Sequence, residues 1–294
     1  MHVVDILWKP EGSGYRSGLL VWNEEKEIEF HQLNSGDKIS WSIEGPRRCI
    51  GRRDSEHQFL PCPNEQQVTN RRKCPECALL DALDPCVRCT GERCTAIKER
   101  FEKCKSSPYV VYLSLFGQES VKVGVSSAAR FLTRWIEQGA DYAAIIAEAV
   151  GGDTARRLES EIGRDPSVAK AVSGSRKKAS LLETLEYDEA TRVITSLRSS
   201  IECADCLDDI EVIDLQQYYK LDELDAAPSL GLSSSSSIAG QQLLGTVLGM
   251  KGSLLVTFIG HSYMVINLKK LIGYNIETGI RNPIKAQAGL LDFI

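Results

Sequence analysis

The stretch that decides the fold runs from Tyr109 to Glu161 and reads YVVYLSLFGQESVKVGVSSAARFLTRWIEQGADYAAIIAEAVGGDTARRLESE. It begins with an apolar run over 109–116, continues through a polar break at 117–120, and resumes with an apolar run over 121–125. Two short runs rich in β-branched and aromatic residues, separated by a Gly-containing break, predict two strands joined by a tight connection.

A helix that contains Arg130 and Arg134 is expected directly after these strands, and a second helix that presents Glu159 is expected after it. The two arginines are four residues apart, so they share one face of the first helix. Like charges on one helix face repel each other, which favours an anionic ligand over a purely structural pair. The stretch therefore predicts a compact cluster of a Tyr, an Arg and a Glu.

Composition limits the function classes. The chain has 294 residues, of which 43% are hydrophobic and 26% charged, and its net charge is -5. This length favours two or three domains. The acidic balance argues against a protein that binds nucleic acid by overall charge, so such a role needs a local basic face. Basic clusters occur at 47–53, 71–73 and 176–178, and ordinary solvated surface charge explains each of them equally well.

The sequence also predicts the compartment. No apolar run approaches the roughly 20 residues of a membrane helix, and the first residues, MHVVDILWKPEG, have no basic flank or cleavage pattern of a signal peptide. We therefore expect a cytoplasmic protein without a membrane partner. In a reducing compartment, its ten cysteines indicate metal binding rather than disulfides.

Shifts in composition divide the chain into five parts. Residues 108–227 are expected to form the core with a helical extension, and the other four parts flank it. These are an N-terminal β unit (1–45), a Cys-rich segment (46–107), a Ser/Gly-rich linker (228–240) and a C-terminal β unit (241–294).

The two terminal parts resemble each other. GLLVWNEEKEIEFHQLNSGDKI and SLLVTFIGHSYMVINLKKLIGYNI share an apolar run, a polar turn, an alternating strand, a Leu, a Gly and a closing Ile. We infer two copies of a β unit that cannot cover its own apolar face alone. The two ends of the chain are predicted to meet in one small barrel or sheet, with the other segments inserted between them.

The Cys-rich segment is predicted to bind metal. Two Cys-x-x-Cys pairs, CPEC and CVRC, lie close together, and paired thiolates of this spacing build tetrahedral zinc sites. Following chain order, we expect two structural zinc sites, one from Cys49, Cys62, Cys74 and Cys77 and the other from Cys86, Cys89, Cys94 and Cys104. A single site from CPEC plus CVRC is the simpler alternative, and an iron–sulfur cluster is another. A third pair, Cys203 and Cys206, is interpreted as packing thiols.

The central stretch resembles the GIY-YIG nuclease superfamily, and the chain as a whole resembles the uncharacterised group called domain of unknown function 2797. The resemblance rests on the Cys-rich motifs, on YVVYLSLFG, on VKVGVSSAARFLTRWIEQGA and on the late GTVLGMKGSLLV and VINLKKLIG. It implies a small mixed sheet with flanking helices. It also implies cleavage of a nucleic-acid phosphodiester with one divalent metal, Mg²⁺ or Mn²⁺.

The resemblance also implies residue roles. VVY stands at the GIY position, which places Tyr112 at the strand tyrosine, and KVG stands at the YIG position, where Lys122 replaces a second tyrosine. Arg134 matches the phosphate-binding Arg, and Glu159 matches the metal-binding Glu. Gln138 stands where His or Tyr is frequent. The task of general base then falls to Tyr112, Lys122 or a metal-bound water.

Arg130 and Gln138 are expected to assist Arg134 in holding the substrate phosphate. An Asn that many members carry later in the chain is missing, because no Asn occurs between Asn70 and Asn267. Structural interpretations also exist: the strand tyrosine serves equally well as a core residue with a satisfied hydroxyl, and the glutamate as one half of a surface ion pair.

The sequence therefore predicts an α+β protein with a GIY-YIG-like core, a Cys-rich zinc segment and a β barrel or sheet from both chain ends. Its predicted function is that of a nucleic-acid-acting protein, with an endonuclease as the leading hypothesis. A zinc-containing nucleic-acid-binding module with a degenerate core and a zinc-stabilised protein–protein scaffold are the alternatives. Neither the choice between DNA and RNA nor the oligomeric state follows from the sequence.

Overall fold

The computed structural model describes residues 1–169, 171–183, 185–232 and 237–279. The N-terminal strands are β1 (His2–Glu11), β2 (Gly14–Trp22), β3 (Ile28–Gln32) and β4 (Lys38–Glu44). The Cys-rich segment forms β5 (Arg52–Arg53), β6 (Phe59–Leu60), α1 (Pro75–Leu79), α2 (Asp84–Val87) and α3 (Lys98–Ser106). The central segment begins with β7 (Pro108–Phe116), β8 (Ser120–Ser127), α4 (Phe131–Gln138), β9 (Tyr142–Val150) and α5 (Gly152–Ile162).

The second half of the chain supplies further helices and strands. It continues with α6 (Gly174–Ala179), α7 (Tyr187–Ser200), β10 (Val212–Asp214), the 3-10 helix η1 (Gln216–Tyr218) and β11 (Ser229–Leu230). The last described elements are β12 (Gln242–Lys251), β13 (Leu254–Ile259), β14 (Ser262–Asn267), the 3-10 helix η2 (Leu268–Lys270) and β15 (Asn275–Thr278). The predicted α+β class is confirmed.

Strands from both chain ends form one sheet of nine strands, in the order β11-β14-β13-β12-β4-β15-β1-β2-β3. The prediction that the chain ends meet in one structure is therefore confirmed. The barrel alternative is wrong for the described part of the chain, because β11 and β3 lie at opposite edges and do not pair with each other.

The strand order also reveals the internal repeat. The strands β1–β4 correspond in order to β12–β15. If β11 is left out and each strand is replaced by its counterpart, the order read from one edge equals the original order read from the other edge. Each unit places its fourth strand against the first strand of the other unit, and these two fourth strands pair antiparallel at the centre. The hydrogen bonds repeat as well: Gly36 N–H donates to Val247 O at 2.8 Å, and Gly273 N–H donates to Val3 O at 2.8 Å. Neither unit is complete without a strand of the other.

A second sheet contains four strands in the order β10-β9-β7-β8. The predicted hairpin is confirmed as β7 and β8, which pair from Tyr109 opposite Ser127 to Phe116 opposite Ser120. The sequence reading placed no strand between the Arg helix and the Glu helix, whereas the structure has β9 there, paired with β7. Its sequence YAAIIAEAV is rich in Ala, a strong helix former. Most of the strand is buried, and a strand covered on both faces lacks the alternating pattern that identifies a half-exposed one.

The two faces of the four-stranded sheet have different covers. One face carries Tyr112 and Phe116 and shares a core with Trp135 of α4 and with the nine-stranded sheet. The other face carries Val111 and Leu113 and packs with residues of α5 and α7. Strand β8 lies at the edge of this sheet in the described chain, so its side chains are accessible to helices of both layers.

The segment after α5 is only partly helical, with α6, α7 and the short strand β10. The interpretation of Cys203 and Cys206 as packing thiols is corrected, since the two form a disulfide with Cα atoms 5.4 Å apart. The Cys-x-x-Cys turn that follows α7 brings the two residues into the range of Cα separations that a disulfide bridges. Residues 233–236 of the predicted linker and 280–294 of the C-terminal unit lie outside the described residues.

Candidate functional site

The hairpin places Tyr112 and Lys122 on one face of the four-stranded sheet. Tyr112 lies opposite Gly124, and Ser114 lies opposite Lys122. Because directly paired residues point to the same face and alternate residues share it, Tyr112 and Lys122 do so as well. A side chain at Gly124 is excluded, since a Cβ there would lie 2.5 Å from Cζ of Tyr112. The glycine of KVG thus lets the tyrosine ring lie across the neighbouring strand.

Helix α4 closes over this face. Trp135 is fully buried and its ring meets that of Tyr112 edge to face, with centroids 5.5 Å apart. Nε2 of Gln138 donates to the hydroxyl of Tyr112 at 2.9 Å. Burial raises the pKa of Tyr112, while the charge of Arg134 and the bond from Gln138 oppose that rise. The tyrosine therefore stays protonated at neutral pH. Its hydroxyl oxygen already accepts one hydrogen bond, from Gln138.

Glu159 reaches the same place from α5. Burial raises its pKa, and the positive charges of Arg156, Lys122 and Arg134 lower it. The pKa of Lys122 is lowered, and burial is the largest cause. The negative charge of Glu159 opposes this shift, and the positive charge of Arg134 adds to it. Four of the residues that the sequence singled out thus interact electrostatically near β8, the edge strand of this sheet in the described chain. They are Tyr112, Lys122, Arg134 and Glu159.

Arg130, which was expected to share the anion with Arg134, has a carboxylate partner within the protein. Its Nη2 lies 2.7 Å from Oε1 of Glu137, and Nη1 of Arg134 lies 3.8 Å from Oε2 of the same residue. Arg130 also stands just before the first residue of α4 rather than within the helix. The anion that faces both arginines in the structure is therefore Glu137.

Two lysines that the sequence reading did not select also lie here. The ammonium of Lys177 on α6 donates to the carbonyl of Gln138 and lies 4.8 Å from the ring centroid of Phe116. Burial, together with the charges of Lys269, Lys122 and other cations, lowers the pKa of Lys177 to about 8. Lys269 follows β14 on η2, and its pKa is also lowered, first by burial and then by Arg72. RKK at 176–178 was noted only as a basic cluster, because its approach to α4 is a tertiary contact.

The Cys-rich segment contains a second candidate site, for a metal ion. Sulfur atoms of Cys49, Cys62, Cys74 and Cys77 all lie within 4.8 Å of one another, and all four residues are buried. Backbone N–H groups point at the sulfurs: Cys74 N–H donates to Cys49 Sγ at 3.2 Å, and Cys77 N–H donates to Cys74 Sγ at 3.4 Å. Four thiolates at about 2.3 Å from a central ion require a cluster of this size, so the residues fit a tetrahedral metal.

The other four cysteines are not gathered in this way. No three of the sulfurs of Cys86, Cys89, Cys94 and Cys104 lie within 4.8 Å of one another, which does not match the predicted second ligand set. The single-site alternative is also not formed, because CPEC joins the two upstream cysteines rather than CVRC. CVRC instead lies against α5, where Arg156 donates to the carbonyl of Cys86 at 3.2 Å.

A cavity of about 700 Å³ opens beside the first Cys cluster, and its lining includes His2, Arg48, Cys49 and Glu65. It does not include Tyr112 or the residues around it. Tyr112 and the residues around it therefore lie outside this cavity.

Comparisons with known proteins locate the chain by family. None of the helices in the described chain has the length and apolar content of a membrane span. No curated protein and no solved structure matches the sequence. A family model described as "Protein of unknown function (DUF2797)" matches residues 36–276, which is most of the chain, and the protein belongs to that family.

Proposed function

We propose that this protein binds a nucleic-acid strand at the edge of β8 and hydrolyses a phosphodiester bond there with a divalent metal ion. The observation that carries the proposal is the convergence of Tyr112, Lys122, Arg134 and Glu159 from a hairpin and two helices. The resemblance of VVY, KVG and the following helices to the GIY-YIG superfamily supports the same assignment.

Phosphate binding falls to the cations. Arg134 is exposed and offers a planar fork of donors that matches two phosphate oxygens. Lys122 is half-buried on the face that carries Tyr112, and in its protonated form it adds a second positive charge. Only its neutral form can accept a proton from the attacking water, and the burial that lowers its pKa favours that form. Since Gln138 already donates to the hydroxyl of Tyr112, the tyrosine proton is free to be donated to a phosphate oxygen or to that water.

The residues fit a divalent metal that is shared with the substrate. Glu159 supplies one half-buried carboxylate, and three cations surround it. Mg²⁺ is commonly bound through one or two carboxylates together with water and substrate phosphates, so a single Glu is sufficient once a phosphate is present. A metal bound there would supply Lewis-acid stabilisation of the phosphate oxygens.

Cleavage of a labelled single-stranded and duplex DNA and RNA panel with Mg²⁺ or Mn²⁺ tests the proposal. Glu159→Ala is expected to reduce cleavage by about 100-fold or more, because it removes the metal ligand. Glu161→Ala, an exposed carboxylate on the same helix, is the matched control and should cleave like the wild type. Equal cleavage by both variants would overturn the assignment of the site.

A binding function without catalysis is the second candidate. The observation that favours it is the excess of cations around the single carboxylate, which suits anion binding without metal. It predicts no cleavage by the wild type under any of these conditions, together with binding that weakens as salt is raised.

We also propose that the metal of the first Cys cluster is zinc with a structural role, and that a second zinc gathers the other four cysteines. The second site is supported by a repeated turn: Gly51 N–H donates to Cys49 Sγ, and Gly91 N–H donates to Cys89 Sγ, both at 3.4 Å. The two glycines have φ of 86° and 89°. Zinc analysis of purified protein should give about two ions per chain, and about one in a Cys86→Ser/Cys89→Ser variant. One ion in the wild type would remove the second site.

A further inference from the structure

Helix α4 ends at a junction where three segments meet. On one side, Lys177 donates to the carbonyl of Gln138, whose side-chain amide donates to the hydroxyl of Tyr112 at 2.9 Å. A single residue therefore separates the ammonium of Lys177 from the tyrosine of the proposed active site.

The C-terminal β unit reaches the same helix end from the other side. A Cβ on Gly252, in the β12–β13 turn, would lie 2.8 Å from the backbone N of Gly139, so this turn touches the end of α4. The next residue, Ser253, accepts a hydrogen bond from Leu268 N–H at 2.9 Å. That bond holds the start of η2 beside the turn, and Lys269 is the next residue of η2.

The Cys-rich segment extends the row of positive charges. Nε of Arg47 donates to the carbonyl of Ile272 at 2.8 Å, and the carbonyl of Arg72 accepts from Ile50 N–H at 3.0 Å. These bonds hold the segment that contains Arg72 beside the residues that follow η2. In agreement with this placement, Arg72 and Arg134 are the largest causes after burial that lower the pKa of Lys269.

None of these cations forms an ion pair within the described ranges, although Asp5 and Glu137 act on Lys269 from farther away and raise its pKa. No carboxylate there lies within 4.0 Å of the charged groups of Lys177, Lys269 or Arg72, although the protein as a whole has a net charge of -5. Neighbouring Lys73, by contrast, has its ammonium 2.5 Å from Asp81. Like charges held together without a close ion-pair partner raise the energy of the protein, and a bound anion relieves that cost.

We propose that Lys177, Lys269 and Arg72 form a second phosphate subsite, which binds the phosphate adjacent to the one at Arg134 in a polynucleotide backbone. This rests on the proposed function for the position of the first phosphate. The ligand class is then a strand with at least two consecutive phosphates rather than a mononucleotide. Phosphate contacts hold a strand in register and carry no base information, so the subsite sets the path of the strand and not its sequence.

Binding without divalent metal tests the subsite separately from cleavage. The probes are a nucleoside monophosphate and a single-stranded tetranucleotide in EDTA, titrated from about 50 mM to about 200 mM salt. The variant Lys269→Ala/Arg72→Ala removes two exposed cations of the subsite and leaves the proposed catalytic residues intact. Lys38→Ala/Arg192→Ala, also two exposed cations, is the matched control.

The subsite variant is expected to bind the tetranucleotide about tenfold or more weakly, and its slope of log K against log salt should fall by about 0.7, the value for the one phosphate contact that is lost. The subsite variant should bind the monophosphate as the wild type does. The control variant should bind both probes as the wild type does. An unchanged slope in the subsite variant, or no measurable binding of the tetranucleotide by the wild type, would overturn the proposal. If the subsite variant loses affinity while the wild type never cleaves, the subsite stands and the hydrolytic function fails. If the wild type cleaves and the subsite variant binds the tetranucleotide normally, the hydrolytic function stands and the subsite fails.

Discussion

Two lysines near the end of α4 have opposite surroundings. Lys251 is buried, and its ammonium lies 2.6 Å from Oδ1 of Asp141, 2.9 Å from the carbonyl of Ser180 and 3.0 Å from its hydroxyl. Lys177 is half-buried, and its ammonium has a carbonyl and the Phe116 ring as partners and is surrounded by further cations. The first lysine is fully paired within the protein, and the second is not.

The difference separates a structural charge from one that is available to a ligand. The Asp141–Lys251 pair joins the end of β12 to the start of β9, and Asp141 also accepts from Gly117 N–H at 2.7 Å. Every ammonium proton of Lys251 has an acceptor, so nothing further can bind to it. Lys177 has no such counter-charge in the described chain, and we therefore assign it to the ligand rather than to the fold.

Loss of the paired lysine should give the largest effect. Lys251→Met leaves the carboxylate of Asp141 buried without its counter-ion, and we expect the free energy of unfolding to fall by about 3–5 kcal/mol. Urea unfolding followed by circular dichroism measures it. A loss below about 1 kcal/mol would show that the ion pair is not the structural contact that the comparison requires.

Removing both charges should restore most of that loss. In Lys251→Met/Asp141→Asn the amide keeps an acceptor for Gly117 N–H, and no charge remains buried. We expect stability within about 1–2 kcal/mol of the wild type, because an apolar replacement of a buried pair is often close to neutral. The same unfolding experiment measures it, and a double variant as unstable as the single one contradicts the explanation.

Substitution of the unpaired lysine should act on binding instead. Lys177→Met loses one hydrogen bond and one cation–π contact but also relieves repulsion, so the free energy of unfolding should change by no more than about 1 kcal/mol. Affinity for the tetranucleotide should fall about tenfold, equivalent to about 1.4 kcal/mol. Fluorescence anisotropy of a labelled tetranucleotide measures the affinity. A large loss of stability with unchanged affinity would reverse the assignment.

A pH titration gives the smallest expected effect. The pKa of Lys177 is about 8 in the free protein, against an ordinary value of 10.5, so the unfolded chain binds more protons between these values and stability rises with pH there. A bound phosphate favours the charged lysine, so affinity should fall as pH rises above 8, by at most about tenfold per pH unit. Lys177→Arg, which stays charged, should flatten this dependence, and a variant as pH-sensitive as the wild type would contradict the role of Lys177.

Local sequence signals predicted a considerable part of this molecule. Apolar runs with a Gly-containing break identified the hairpin of Tyr112 and Lys122, and the first four cysteines in chain order proved to be neighbours in space. Such predictions succeed because pairing across a tight turn and ligand spacing within a short segment depend on neighbours in the chain.

Other features depend on contacts that no local pattern encodes. Strand β9 is an Ala-rich segment whose pairing with β7 decides its conformation, and Lys177 joins the site from a cluster that looked like ordinary surface charge. The later cysteines have the same Cys-x-x-Cys spacing as the first set, yet the structure holds CVRC against α5.

The sequence by itself determined the repeated β unit, the hairpin and the first Cys cluster, because each follows from periodicity or spacing along the chain. Only the tertiary structure decided that the two units exchange their fourth strands and that Lys251 is paired with a residue 110 positions away. It also decided that Lys177 lies at the end of α4, where it donates to the carbonyl of Gln138. These outcomes depend on which surfaces are buried together, and burial sets both the pairing of strands and the cost of an unpaired charge.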